Sequence, residues 1–236
     1  PEVDHDLGIE MTTGPLGQGF GTGVGMAIAE EHLRARVGKE LVDHRTFGFV
    51  SDGDLMEGIS AETASLAGHL QLGRLIYYYD DNEISIDGST DTTFTEDVAK
   101  RFEAVSWHVL EIDGHDREAI AQATDEALAV VDRPSLIICH TVIAHGAPNL
   151  EGSAKSHGAP LGEEEVRATK EAIGLPPDET FYAPREVYEF FAEAMERGRS
   201  AHREWEARLG SADGEARKLW NELFSTAPVS LEGPHY

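Results

Sequence analysis

Cysteine occurs once among the 236 residues, at Cys139, so no internal disulfide framework is possible and a reducing, cytoplasmic setting is expected. Basic residues are few. Lys and Arg number 19 against 44 Asp and Glu, for a formal charge of -25. A surface this acidic repels phosphate backbones and anionic bilayers. Nucleic acid and membranes are therefore not expected partners, whereas a divalent cation is admissible. No apolar run reaches the roughly 18 residues of a membrane-spanning helix. The chain opens at Pro1 with neither Met nor a signal-peptide pattern, and an upstream segment is expected to be missing. There is no internal repeat, no zinc-type His spacing with a carboxylate, and no nucleophilic Ser or Cys motif. What is present is 40% hydrophobic residues and 24 glycines, enough for a buried core and too much for a disordered chain.

Periodicity divides the chain into alternating strands and helices. A helix is expected over 18–37, although Gly19, Gly21, Gly23 and Gly25 weaken it by roughly 1 kcal/mol each relative to Ala. Close packing or close approach of a ligand would compensate. Strands are expected over 46–51, 75–79, 107–112 and 135–139. Helices are expected over 57–70, 95–105 and 116–131, with Thr95 as the N-cap of the second and Asp97 in its first turn. This alternation implies βαβ units, hence a parallel sheet with helices on both faces. Ligands in such folds sit beyond the carboxyl ends of the strands. From about residue 173 the character changes to a linker, 175–180, and two charged helices, 185–209 and 216–224.

Two strand ends carry the chemistry. Ser51-Asp52-Gly53 closes the first strand, and Asp81-Asn82 closes the second, with Asn82 thirty positions after Asp52. The interval holds one crossover helix, so a carboxylate and an amide oxygen can meet at one rim. Both are hard donors that suit Mg²⁺ or Ca²⁺, with phosphate, water and a backbone carbonyl completing the shell. Gly53 leaves room for a phosphate to approach the backbone. Each pair taken singly is an ordinary turn, and the combination favours a site. Cys139 reads as core. Of the 11 histidines, His157 lies in a loop of small residues suited to a ligand contact. His115 reads as a helix-entry residue and His145 as a surface residue, and His5 and His235 carry no functional reading.

Four passages then resemble transketolase, in its domain that binds the diphosphate of thiamine diphosphate. They are Thr12-Thr-Gly-Pro-Leu-Gly-Gln-Gly19, Ser51-Asp-Gly-Asp-Leu-Met-Glu-Gly-Ile59, Tyr79-Asp-Asp-Asn-Glu-Ile-Ser-Ile-Asp-Gly88 and Ser156-His-Gly-Ala-Pro-Leu-Gly162. The likeness runs in order over residues 7 to 175. It implies a thiamine diphosphate-binding fold in which Asp52, Asn82 and the backbone carbonyl of Ile84 hold Mg²⁺ (or Ca²⁺). It implies that the Gly53 N–H meets the diphosphate, and that Gly14, Pro15 and Leu16 line the thiazolium and pyrimidine end. His157 is implied to contact cofactor and sugar, and Glu57 to lie at a dimer interface, linked to the glutamate that activates the aminopyrimidine. Several positions depart from the family pattern, His140 and His145 among them. Ser51 replaces a Gly, and Asp54 stands where a small neutral residue is frequent.

The resemblance further implies transfer of a two-carbon ketol unit from a ketose phosphate to an aldose phosphate. A pyrimidine domain, supplied by a partner chain or segment, would complete the centre, and the assembly would be a dimer. Residues 1–175 are expected to form the diphosphate- and metal-binding α/β domain without its N-terminal part, and 176–236 a linker and helical arms. A non-catalytic binding module, or the natural N-terminal subunit of a split enzyme, is the alternative. Dihydroxyacetone synthase and deoxyxylulose phosphate synthase are the runner-up reactions, the second disfavoured by the passage around His157.

Overall fold

The computed structural model describes Asp4 and residues 8–225. His5 and His235 lie outside the described residues. Contacts within the chain separate two units, one of residues 1–29 and 44–182 and one of residues 30–43 and 183–236.

The first unit is built on a four-stranded parallel sheet. Its strands are β1 (Thr46–Ser51), β2 (Leu75–Asp81), β5 (His108–Asp113) and β6 (Ser135–His140), in the spatial order β1-β2-β6-β5. A two-stranded hairpin, β3 (Ile84–Ser85) with β4 (Gly88–Ser89), follows β2. The central strands are nearly all apolar because both faces are covered. On one face, Leu75, Tyr77, Tyr79, Leu136 and Ile138 pack with Phe20 and Val24 of α1 (Gln18–Val37), Ala64 and Ala67 of α3 (Gly58–His69) and Phe102 of α4 (Val98–Ala104). On the other face, Ile76 and Ile137 pack with Ala123 and Ala127 of α5 (Arg117–Ala129). The expected α/β architecture is therefore present. The glycines of α1 are used unequally. A Cβ at Gly23 would lie 2.0 Å from the Tyr77 hydroxyl, which donates to the Phe20 carbonyl at 2.7 Å. At Gly25 nothing lies within 4 Å.

Local details differ from the sequence expectations. Residues 95–105 do not start a helix at Thr95. Asp97 is the N-cap, its carboxylate accepting the Lys100 N–H at 2.9 Å, and only Val98–Ala104 is helical. Asp reaches the third amide of the helix, whereas Thr95 is two residues too early for it. Asp52-Gly53 is not a plain turn but opens a short helix, α2 (Asp52–Met56), separated from α3 by the extended Glu57. β2 continues to Asp81, and Trp107 precedes β5, its indole N–H donating to the Ala64 carbonyl at 2.8 Å. Two further helices, α6 (Lys155–Gly158) and α7 (Glu163–Ala172), follow the sheet.

The second unit gathers the end of α1 with α8 (Arg185–Ser211) and α9 (Gly214–Leu223). Val37, Leu41 and Val42 form its core with Leu209, Ala212, Ala216 and Trp220. Trp205 donates its indole N–H to the Leu41 carbonyl at 3.0 Å.

Candidate functional site

The parallel register aligns the strand ends. Ser51 pairs with Asp80, Asp80 with Cys139, and Asp81 with His140. Every chemistry-bearing residue of β1, β2 and β6 thus emerges at one rim, where α2 packs on β2 and β3.

Asp52 is 3% exposed. Its Oδ1 accepts the Tyr79 hydroxyl at 2.6 Å, while its Oδ2 is buried without a hydrogen-bond partner among the described residues. Burial raises the Asp52 pKa above its ordinary value. The Tyr79 hydrogen bond opposes the rise, the Asp81 charge adds to it, and the backbone amides of Asn82 and Asp52 oppose it. Tyr79 is shifted upward in turn, by burial first and then by Asp52 and Asp81, so it stays a neutral phenol. An unpartnered carboxylate oxygen in this setting is costly unless a cation completes it.

Asn82 follows β2 directly. Its Oδ1 accepts the Ile84 N–H at 3.0 Å, and its Nδ2 donates to Asp80 Oδ2 at 3.2 Å. Glu83 between them sits at φ 59°, so the chain reverses tightly and brings the start of β3 back to the rim. The carboxylate of Asp52, the amide oxygen of Asn82 and the carbonyl of Ile84 are oxygen donors of the kind Mg²⁺ prefers. The orphaned Asp52 Oδ2 fits a cation. Among the described residues no group of three or more His, Cys, Asp or Glu side chains could hold a metal.

The loop before α1 is fastened to the same place. Asp54 Oδ2 accepts the Ser51 N–H at 3.0 Å and its hydroxyl at 3.1 Å, and Asp54 Oδ1 accepts the Gly17 N–H at 3.0 Å. The departure at Asp54 is therefore a clamp, its charge spent on backbone and hydroxyl donors. Ser51 is tolerated because its backbone is extended, φ -123° and ψ 177°, which needs no glycine. Gly17 does need one. It has φ +75°, and a Cβ there would lie 2.8 Å from Ile59 Cγ2 and 2.9 Å from Glu57 Cβ. Leu16, in the exposed Gly14-Pro15-Leu16 turn, stands over Gly53, where an added Cβ would meet its Cδ1 at 3.1 Å.

The structure thus joins Asp52, Gly53, Leu16, Asn82 and Ile84 at one rim. Glu57 lies beside Gly17 with its side chain exposed. His157 is exposed on α6, one residue before Gly158, whose nearest neighbour for an added Cβ is Ile86 of the hairpin turn at 3.9 Å. No hydrogen bond joins His157 to Asp52 or Asn82. The role of Tyr79 was not legible in the motifs. Tyr79 signals itself only as a polar tip at a buried strand position. His115 stands at the entry of α5, where its Nε2 accepts the Val142 N–H at 2.9 Å, and it stacks at 4.1 Å on His145, which is exposed as expected. Cys139 is half-buried, and burial with the Asp80 charge pushes its thiol up to about 11, which disfavours the thiolate.

The family described as "Transketolase, thiamine diphosphate binding domain" matches residues 1–228. Transketolase 2 of Escherichia coli (strain K12) is 52% identical over 217 residues, which cover 89% of this chain and 32% of that protein. The transketolase of Bacillus subtilis (strain 168) is 47% identical over 238 residues, 99% of this chain and 35% of that one. The crystal structure of transketolase from Campylobacter jejuni superposes with a TM-score of 0.90 at 42% identity, covering 94% of this chain and 35% of that one. A Pichia stipitis transketolase in complex with sedoheptulose-7-phosphate gives a TM-score of 0.82 at 40% identity, over 90% of this chain and 31% of that one. The chain spans about a third of the length of these relatives. It belongs to the transketolase family and carries that family's thiamine diphosphate binding domain.

Proposed function

We propose that the chain supplies the diphosphate- and metal-binding half of a transketolase centre, moving a two-carbon ketol unit from a ketose phosphate to an aldose phosphate. The observation that carries the reading is the buried Asp52 Oδ2 without a partner, beside Asn82 and the start of β3. Asp52, Asn82 and the Ile84 carbonyl hold Mg²⁺, or Ca²⁺ in its place. Gly53 offers its N–H to the diphosphate, and Gly14, Pro15 and Leu16 flank the ring end of the cofactor. Bound thiamine diphosphate supplies a stabilised carbanion equivalent at its thiazolium carbon. His157 donates to cofactor and sugar oxygens, and its exposed ring is free to do so. Glu57, exposed beside Gly17, orients the glutamate of a partner pyrimidine domain.

The substrates are sugar phosphates, in line with the sedoheptulose-7-phosphate held by the Pichia stipitis relative. Because the chain spans about a third of its relatives, the pyrimidine domain and the phosphate-binding cations belong to other residues of the assembly, which we expect to be a dimer. The same fraction favours one second reading, a binding module that holds cofactor and metal but turns over nothing by itself.

Titration calorimetry of thiamine diphosphate with and without Mg²⁺, beside Asp52→Ala, tests the half-site. Metal-dependent binding that the variant abolishes is the expected result. Equal binding by the variant would remove Asp52 from the metal shell. Turnover after addition of the remaining transketolase domains separates the enzyme from the binding module.

A further inference from the structure

Tyr79 is 2% exposed on the central strand β2, yet its hydroxyl lies at the rim between two carboxylates. Asp52 Oδ1 is 2.6 Å away and Asp81 Oδ1 is 3.2 Å away. A phenol has one proton to give, and the shorter contact takes it. Asp81 has a donor of its own, for His140 Nδ1 stands 2.8 Å from its Oδ2. The other His140 nitrogen lies 3.3 Å from Glu111 Oε2. The imidazole therefore serves the outer carboxylate and leaves the phenolic proton to the inner one. We propose that Tyr79 is a positioning residue for the metal, its hydroxyl occupying one Asp52 oxygen so that only Oδ2 faces the cation. This inference rests on the reading that Asp52 is a metal ligand.

The two oxygens of Asp52 are made unlike by this arrangement. Oδ1 is engaged, and Oδ2 is buried and unpartnered. The terminal torsion of a carboxylate is broad, so an Asp without a fixed partner can turn and offer both oxygens. A single-oxygen contact suits the strict octahedron of Mg²⁺. Ca²⁺ accepts one or two carboxylate oxygens in a looser shell. Tyr79 thus holds the site to the smaller ion as well as holding it ready. Loss of such an orienting partner weakens metal affinity by roughly 10- to 100-fold.

The test is Tyr79→Phe, which keeps the ring and its packing and removes the hydroxyl. Mg²⁺ and Ca²⁺ are titrated calorimetrically into the full chain with thiamine diphosphate present, for wild type, Tyr79→Phe, Asp52→Ala and the double variant. The Mg²⁺ dissociation constant should rise roughly 10- to 100-fold in Tyr79→Phe and the Ca²⁺ constant distinctly less. In the Asp52→Ala background the Tyr79 change should do nothing further. General damage to the fold would weaken both ions alike and lower the melting temperature of the metal-free chain. Wild-type Mg²⁺ affinity and an unchanged ion preference in Tyr79→Phe overturn the proposal. Cation binding that survives Asp52→Ala, or a folded wild-type chain that binds neither ion, overturns the metal reading instead. Should Tyr79→Phe not fold, 3-fluorotyrosine labelling replaces it. The fluorine resonance of Tyr79 should then move on Mg²⁺ addition and stay still in Asp52→Ala, and a still resonance in wild type overturns the proposal.

Discussion

Asp54 on α2 accepts the backbone N–H of Gly17 at 3.0 Å across 37 positions of sequence. With its other oxygen it closes the capping box on Ser51. One side chain thus ties the loop expected to flank the cofactor to the helix start that carries Asp52 and Gly53. Hydrogen bonds to a charged group contribute about 1.5–3 kcal/mol each at the upper end. Asp54→Ala should lower unfolding stability by about 2 kcal/mol, measured by urea denaturation, and weaken thiamine diphosphate binding through the released loop. Asp54→Asn should recover only part of either loss, since its amide NH₂ must face an N–H donor.

Gly53→Ala separates binding from folding. The added Cβ would meet the far end of the exposed Leu16 side chain at 3.1 Å, a group that can turn aside. Stability should change by less than about 1 kcal/mol. Thiamine diphosphate affinity should fall about tenfold, equivalent to about 1.4 kcal/mol, because the methyl group stands where a diphosphate approaches the backbone. Calorimetry and thermal unfolding on the same sample read both quantities.

Asp52, Gly53 and Asn82 were legible because turn residues at the ends of two parallel strands must emerge on one rim, whatever else the fold does. The alternation of strands and helices carried the sheet in the same way. Tyr79 was not legible, because its meaning depends on a neighbour across the β1–β2 register and not on its own strand. Asp97 took the N-cap from Thr95 through a distance of two residues, which propensity does not resolve. The hairpin after Asn82 has two residues per strand, too short for any alternation, and its turn is Ile86-Asp87, with Gly88 already in β4. Helix α7 opens on three acidic residues, but its apolar stripe is thin and its anchor is a polar one, Glu165.

Glu165 gives the segment after β6 a pH dependence. Its two oxygens accept the Asn149 backbone N–H and the Asn149 side-chain amide, both at 2.7 Å. These hydrogen bonds hold its pKa below the ordinary 4.5. The folded state therefore binds fewer protons here than the unfolded state. The stabilisation is complete above about pH 4.5 and is lost as pH falls through the lowered value. Thermal unfolding of wild type and Glu165→Gln should differ most at neutral pH and converge in acid. A gap that stays constant from pH 7 to pH 3 would show that the carboxylate charge is not what pins Asn149.

Gly23 and Gly25 lie two residues apart on α1, and substitution by Ala should have opposite effects. At Gly23 the new Cβ would stand 2.0 Å from the Tyr77 hydroxyl, itself bonded to the Phe20 carbonyl and stacked on the Phe20 ring at 4.5 Å. A Cβ at Gly48 on β1 would likewise lie 2.1 Å from the Tyr77 ring, so Tyr77 is packed closely against both glycines. Overpacking of this kind costs about 1–3 kcal/mol. At Gly25 nothing lies within 4 Å and the position is exposed, so Ala should restore helix propensity and add about 0.5–1 kcal/mol. Chemical denaturation of the two single variants reads the contrast. If Gly25→Ala stabilises the isolated chain yet weakens its self-association, the open glycine is kept for a second chain that packs on α1, and dimer formation is the force that holds it.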